Sequence, residues 1–172
     1  QQVLYTRLAD ELIARLKAAQ GIQRRGLILA YIQKFKQACN HPDQLNGTGD
    51  FAEPGSGKFA RLREICEELR EKRERVLIFT QFREMIEPLD GFCTGLYGRP
   101  GVHLHGGTTL PGREAAVTTF QGNDYVPFFL LSLKAGGTGL NLTASTHVIH
   151  FDRWWNPAVE RQAEDRAYRI GQ

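Results

Sequence analysis

The stretch Val76-Leu77-Ile78-Phe79-Thr80 (VLIFT) decides the fold. Four apolar residues and a threonine, most of them strand formers, run on without alternating, which marks a strand buried on both faces. Upstream, Lys58 to Arg73 reads as a helix with the apolar face Phe59, Leu62, Ile65, Cys66 and Leu69, and Ser56 stands where it can cap the first turn. Downstream come three more apolar runs, Val102 to His105, Pro127 to Leu133 and Thr146 to Phe151. Helical pattern separates them, at about Phe82 to Leu96 and Pro111 to Phe120. A last helix, Pro157 to Ile170, opens with Asn156 as cap and Pro157 in its first turn. Strands alternating with helices predict an α/β fold, a parallel sheet flanked by helices.

The 172 residues are 41% hydrophobic and 24% charged, enough for one domain with a real core. Lys and Arg number 22 against 19 Asp and Glu, a formal charge of +3 that suits local contact with phosphates. No apolar run approaches the roughly 18 residues a membrane helix needs, and Gln1 begins in helical pattern, unlike a signal peptide. Membrane, collagen-like and disulfide-knot classes are therefore excluded. Cys39, Cys66 and Cys93 form no CxxC pair, which predicts buried structural thiols, a reducing compartment and no zinc site.

Before residue 45 two helices are expected. Leu4, Leu8, Leu12 and Leu16 recur every four positions in the first; the second follows Gly21 with Ile28, Ile32, Phe35 and Cys39 on one face. Asn40-His41-Pro42 stops it, because proline disfavours helix in the residue before it. Residues 46–57, with four glycines and a proline, read as a linker, so the expected division is helices over 1–45, linker over 46–57 and sheet domain over 58–172.

In open parallel sheets, ligands bind at the carboxyl ends of the strands. The four exits here are Gln81; Gly106-Gly107-Thr108-Thr109; Lys134 to Gly139; and Asp152-Arg153-Trp154-Trp155-Asn156. With parallel strands all four share one edge. Gly136, Gly137 and Gly139 allow backbone amides close to an anion and Lys134 adds charge, though a tight strand-to-helix turn explains the same glycines. A dinucleotide fingerprint fits poorly, since Gly137-Thr138-Gly139-Leu140-Asn141-Leu142 lacks the third glycine. Pro54 to Phe59 fails as a phosphate loop: Ala52 stands where the first glycine belongs, and Phe59 follows the lysine. In the closing helix Arg166 and Arg169 share a face at i, i+3 and suit one anion, although alone the helix reads as a solvated, salt-bridged one. His103 and His105 share a strand face but lack any nearby ligand pattern for a metal.

Together these segments carry a resemblance. VLIFTQF over 76–82, LSLKAGGTGLNL over 131–142, DRWWNP over 152–157 and QAEDRAYRIGQ over 162–172 resemble the second RecA-like lobe of the SWI/SNF family of DNA-translocating ATPases, in spelling closer to its bacterial members. Cys39-Asn40-His41-Pro42 and Ser56-Gly57-Lys58 also look like this family, so the resemblance spans nearly the whole chain.

The resemblance implies a RecA-like parallel sheet, with residues 1–45 as a helical protrusion packed on the lobe. It implies a motor that binds ATP and Mg2+ between two lobes. The first lobe, absent here, supplies the phosphate loop and metal-binding acids, and the second supplies arginine fingers. Arg166 and Arg169 match the finger positions; Gly137, Gly139 and Asn141 match the stretch meeting the nucleotide. Thr80, Gln81, Arg113, Ser132 and Lys134 match positions on the DNA phosphate backbone, and Trp155 matches a minor-groove wedge, whereas bulk alone would bury it. Trp154 is expected to pack, and His105, where many members carry an acid, is given no role. The partners implied are double-stranded DNA, the first lobe and a DNA-bound protein being remodelled. The setting is the bacterial cytoplasm and nucleoid, or the nucleus in a eukaryote. Alone, the chain is expected to hydrolyse no ATP and to hold neither ATP nor Mg2+ tightly, and any helix bracing the two lobes is expected to be missing from it. Three other readings stand beside this one: a non-cycling nucleic-acid or protein-binding module, a small-molecule enzyme on a dinucleotide-type fold, and an RNA helicase lobe.

Overall fold

In a computed structural model of the chain, residues 1–133, 140–154 and 156–165 are described. The chain divides into two compact units, Gln1–Leu62 and Arg63–Gln172.

The first unit holds α1 (Gln2–Ala18), α2 (Gly21–Asn40), the short α3 (Pro42–Asn46) and the start of α4 (Gly57–Glu71). Its core is Leu8, Tyr31 and Ala38, with Leu4, Leu12, Leu27, Phe35 and Leu45 packed against them. The leucine stripe of α1 is thus the buried one. In α2 the buried face is rotated from the expected one: Tyr31 is 1% exposed, while Ile28 is 37% exposed and Cys39 faces outward. Aromatic Tyr31 and Phe35 (ring centroids 6.4 Å apart) set the rotation, because the larger surface is the more favourable to bury. Of the three thiols, Cys66 and Cys93 are buried as expected and Cys39 is not.

The residues between α2 and α4 are pinned by polar contacts. Ser56 Oγ donates to the Asn40 carbonyl (2.5 Å) and accepts from the Lys58 and Phe59 amides (3.2 and 3.4 Å), capping α4. Lys58 Nζ donates to Asn40 Oδ1 (2.7 Å), so this lysine is engaged in holding the turn. His41 Nδ1 accepts from the Asp43 amide (3.1 Å), which leaves the proton on Nε2 to donate to the Ala52 carbonyl (2.9 Å).

The second unit is the sheet. Its strands are β1 (Val76–Thr80), β2 (Val102–Leu104), β3 (Phe128–Ser132) and β4 (His147–His150), in the order β2-β3-β1-β4 and all parallel. Central β1 and β3 are buried at every position, as continuous apolar runs require, and the edge strands are less so. Alternate residues face opposite layers. Phe129 meets Phe120 of α6 (Leu110–Gln121) at 5.2 Å, and Phe128 meets Tyr97 of α5 (Ile86–Tyr97) at 5.8 Å. Leu77, Phe79, Leu104, Phe120, Phe129, Leu131 and Leu142 form the α6-side core, and Trp154 packs against it, as its bulk predicts. Gly101 makes the close approach before β2 possible: a Cβ there would lie 2.3 Å from the Phe128 ring. The last described helix is α7 (Pro157–Glu164), capped by Asn156, whose Oδ1 accepts the Ala158 amide at 3.0 Å.

Candidate nucleic-acid and nucleotide face

The parallel order places the exits of all four strands along one rim. Register fixes the middle of it, because Thr80 ends β1 directly beside Ser132, which ends β3. Both are buried, Thr80 at 0% exposure and Ser132 at 5%. Thr80 Oγ1 donates to Asp152 Oδ2 (2.6 Å) and accepts the Phe82 amide (3.2 Å), while the Gln81 amide donates to Asp152 Oδ1 (2.7 Å). A carboxylate 2% exposed, just past β4, therefore ties its strand exit to that of β1 through two charge-assisted bonds. Thr80, expected at a phosphate, is buried in this structure with its hydroxyl bonded to Asp152. Gln81 is half-buried at the rim beside it.

Beyond Asp152, the Asp-Arg-Trp-Trp turn is held by Glu160 on α7. Arg153 donates to its carboxylate through Nε (2.9 and 3.1 Å) and Nη2 (2.7 Å), and the Trp154 amide adds a bond at 3.0 Å. The Arg153 hydrogen bond holds the Glu160 carboxyl below its ordinary pKa, with the Trp154 amide helping and burial opposing. From sequence the closing helix reads only as a solvated, salt-bridged one, and Asp152 only as part of a strand exit. The available signal was an acid eight residues after another acid, spanning a helix start; nothing in the spacing says that both are buried.

At the β2 exit, His105 and Thr108 close a turn: the His105 amide donates to Thr108 Oγ1 (3.1 Å) and the Thr108 amide to the His105 carbonyl (2.9 Å). Thr109 Oγ1 accepts the Gly112 amide (3.3 Å) and caps α6. Arg113, in the first turns of α6, donates from Nε to the Thr108 carbonyl (3.2 Å). The same arginine lines a groove of about 640 Å³ with Leu110, Glu114, Val117, Leu140 and Asn141. Arg113 and Asn141, expected to meet different ligands, thus line the same groove. His103 and His105 stack at 6.2 Å and 14°, and His103 Nδ1 lies 3.9 Å from Asp90.

Among the described residues no three His, Cys, Asp or Glu side chains group to hold a metal. The two buried carboxylates on this rim are already committed, Asp152 to Thr80 and Gln81, Glu160 to Arg153 and Trp154. Magnesium does not fit as a ligand of these residues. Lys134, Gly137, Gly139, Trp155, Arg166 and Arg169 lie outside the described residues.

Comparison with known proteins puts a family to this rim. Residues 57–171 match the helicase conserved C-terminal domain. The SWI2/SNF2 ATPase C-terminal domain of Sulfolobus solfataricus superimposes with a TM-score of 0.84 at 38% identity, over 93% of this chain and 70% of that one. The chain is a SWI2/SNF2 helicase C-terminal domain. The SWI2/SNF2 ATPase core of Sulfolobus solfataricus in complex with dsDNA gives a TM-score of 0.87 at 37% identity, over 99% of this chain and 35% of that chain. Among curated proteins, the putative ATP-dependent helicase/translocase YwqA of Bacillus subtilis is 42% identical across the whole of this SWI2/SNF2 domain. The human SWI/SNF-related matrix-associated actin-dependent regulator of chromatin subfamily A member 1 is 35% identical across the same span. The chain spans less than a fifth of the length of either, 19% and 17%. No helix among the described residues of the domain is long and apolar enough to cross a membrane.

Proposed function

We propose that this domain is the second motor lobe of an ATP-dependent translocase on double-stranded DNA. Arg166 and Arg169 face a nucleotide held by a first lobe, and Gly137, Gly139 and Asn141 lie on the nucleotide side. Gln81, Arg113 and Lys134 meet the phosphate backbone, and Trp155 enters the minor groove. Thr80 and Ser132, which end β1 and β3 side by side at the middle of the rim, belong to the same phosphate-contacting surface. ATP and Mg2+ are then substrate and counter-ion of the two-lobe assembly, and residues 1–45 are a protrusion outside the catalytic cycle. A DNA-bound protein displaced by the moving motor is the outward target, in the nucleoid of a bacterium or the nucleus of a eukaryote.

The observation that carries this reading is the convergence of separate chain segments on one rim of an all-parallel sheet, with Asp152 joining the exits of β1 and β4. The reading predicts no turnover of ATP by the 172-residue chain alone. In the intact two-lobe motor, Arg169→Ala lowers DNA-stimulated ATP hydrolysis by about 10³-fold or more, in keeping with the worth of arginine fingers elsewhere. Steady phosphate release by the isolated chain, lost on Arg169→Ala, would overturn the assignment.

A further inference from the structure

We propose that the groove at the turn between α1 and α2 docks an acidic amphipathic helix of a partner protein. The partner's carboxylates meet Lys17 and Arg24, and its apolar side chains lie against Ile13 and Leu16. This surface belongs to the first compact unit, which holds none of the rim residues.

The charge pattern is one-sided. Residues 12–42 contain six Lys and Arg (Arg15, Lys17, Arg24, Arg25, Lys34 and Lys36) and no Asp or Glu, in a chain that carries 19 acids. Such a stretch presents a positive field to its surroundings. Some of these cations are engaged within the fold. Arg15 pairs with Glu11 at 3.2 Å, and Arg15 and Lys34 lie 6.0 and 4.8 Å from the Tyr31 ring. Others are not. Lys17, Arg24 and Arg25 are exposed, and among the described residues none of the three has an ion pair or a hydrogen bond.

The groove adds shape and apolar surface. Ile13, Leu16, Lys17, Ala19, Gln20 and Arg24 line a volume of about 530 Å³. Ile13 is 55% exposed, and Ile22, in the first turn of α2, is 89% exposed. Neither isoleucine belongs to the core of this unit. Aliphatic side chains in water beside unpaired cations match a ligand that carries carboxylates and aliphatic groups together. An acidic amphipathic helix does so, with its apolar residues at i, i+3, i+4 and i+7 on one face. A nucleic-acid backbone would use the cations and leave the isoleucines in water, and no aromatic ring lines the groove to stack on a base. A second copy of the chain, pairing through the same patch, would set Lys17 and Arg24 against like charges.

The test is fluorescence anisotropy of a labelled helical peptide of about 16 residues, leucines along one face and glutamates on the other, titrated with the 172-residue chain. Saturable binding is expected at low salt, counted per folded molecule. Arg24→Glu is expected to weaken it about tenfold, because a like charge then faces the peptide. Ile13→Ser is expected to weaken it about fivefold through lost apolar burial. Arg7→Glu, the same charge change elsewhere on α1, is expected to weaken it by less than about twofold. No binding at low salt overturns the site. Equal affinity for a peptide of the same composition with its leucines scattered round the helix, or equal weakening by Arg7→Glu, reduces it to bare charge and overturns the groove. Binding of a DNA duplex that Arg24→Glu weakens more than it weakens peptide binding overturns the protein partner in favour of nucleic acid. A dimer in sedimentation equilibrium that Ile13→Ser dissociates overturns it in favour of a second copy.

Discussion

The two edges of the sheet use the same residue types to opposite ends. At the amino edge Arg75 donates to the carbonyls of Phe120 (2.6 Å), Gly122 (2.9 Å) and Asp124 (2.9 Å), closing the loop that leads from α6 to β3. Ser145 Oγ donates to the Arg75 carbonyl (2.7 Å), and Arg73 and Arg99 lie 5.3 and 5.8 Å from the Tyr125 ring. There the guanidinium of Arg75 is consumed by the backbone it seals. At the carboxyl edge the buried acids are consumed instead, Asp152 by Thr80 and the Gln81 amide and Glu160 by Arg153 and the Trp154 amide. An arginine among carbonyls is a fastener, and so is a buried carboxylate among amides and a guanidinium.

Substitutions sharpen this contrast. Asp152→Ala leaves the buried Thr80 hydroxyl and the Gln81 amide without their acceptor, and is expected to cost about 3–4 kcal/mol in urea unfolding. It should also weaken duplex binding by whatever protein stays folded, because it loosens the rim. Arg75→Ala removes three bonds to carbonyls and is expected to cost about 2–3 kcal/mol, with the duplex affinity of the folded fraction unchanged. If Arg75→Ala and Asp152→Ala weaken DNA binding equally per folded molecule, the division of labour between the edges is wrong.

Acid gives a subtler test. Glu160 has a folded pKa below its unfolded one, so its contribution is complete above the ordinary carboxylate range and is lost as pH falls through the depressed value. The protection factor of the Trp154 amide, its exchange measured against the intrinsic rate at each pH, should therefore fall on acidification, and Glu160→Gln should flatten that dependence. The smallest effect is expected at Arg73, which ends α4 in the left-handed region at φ 54°. Arg73→Gly relieves roughly 1 kcal/mol of backbone cost but gives up a contact with Tyr125 of similar size, so the melting temperature should move little.

The sheet was legible because VLIFT and the run ending at Ser132 are apolar without alternation, which central parallel strands require. Two caps were legible too, since Ser56 and Asn156 are short polar residues just before helical pattern, whereas the Thr109 cap of α6 emerges only from the structure. The orientation of α2 was not. Ile28, Ile32 and Phe35 make as regular a stripe as Leu27, Tyr31 and Phe35, and only packing chooses between them. On the rim, sequence located the exits but not the state of each side chain. Sequence does not show that the Thr80 hydroxyl is buried against Asp152, and the closing helix reads as solvated although its Glu160 is a buried clamp. Partners distant in sequence decide both, Asp152 for the first and Arg153 for the second, and no local pattern announces them.

The Asp152 tether has a mechanical corollary. One carboxylate grips both a side chain and a main-chain amide of the neighbouring exit, so the β1 and β4 ends of the rim cannot shift independently. A ligand that settles against either end restrains both, and a displacement begun at the tryptophan turn is delivered to the Gln81 amide without any intervening joint.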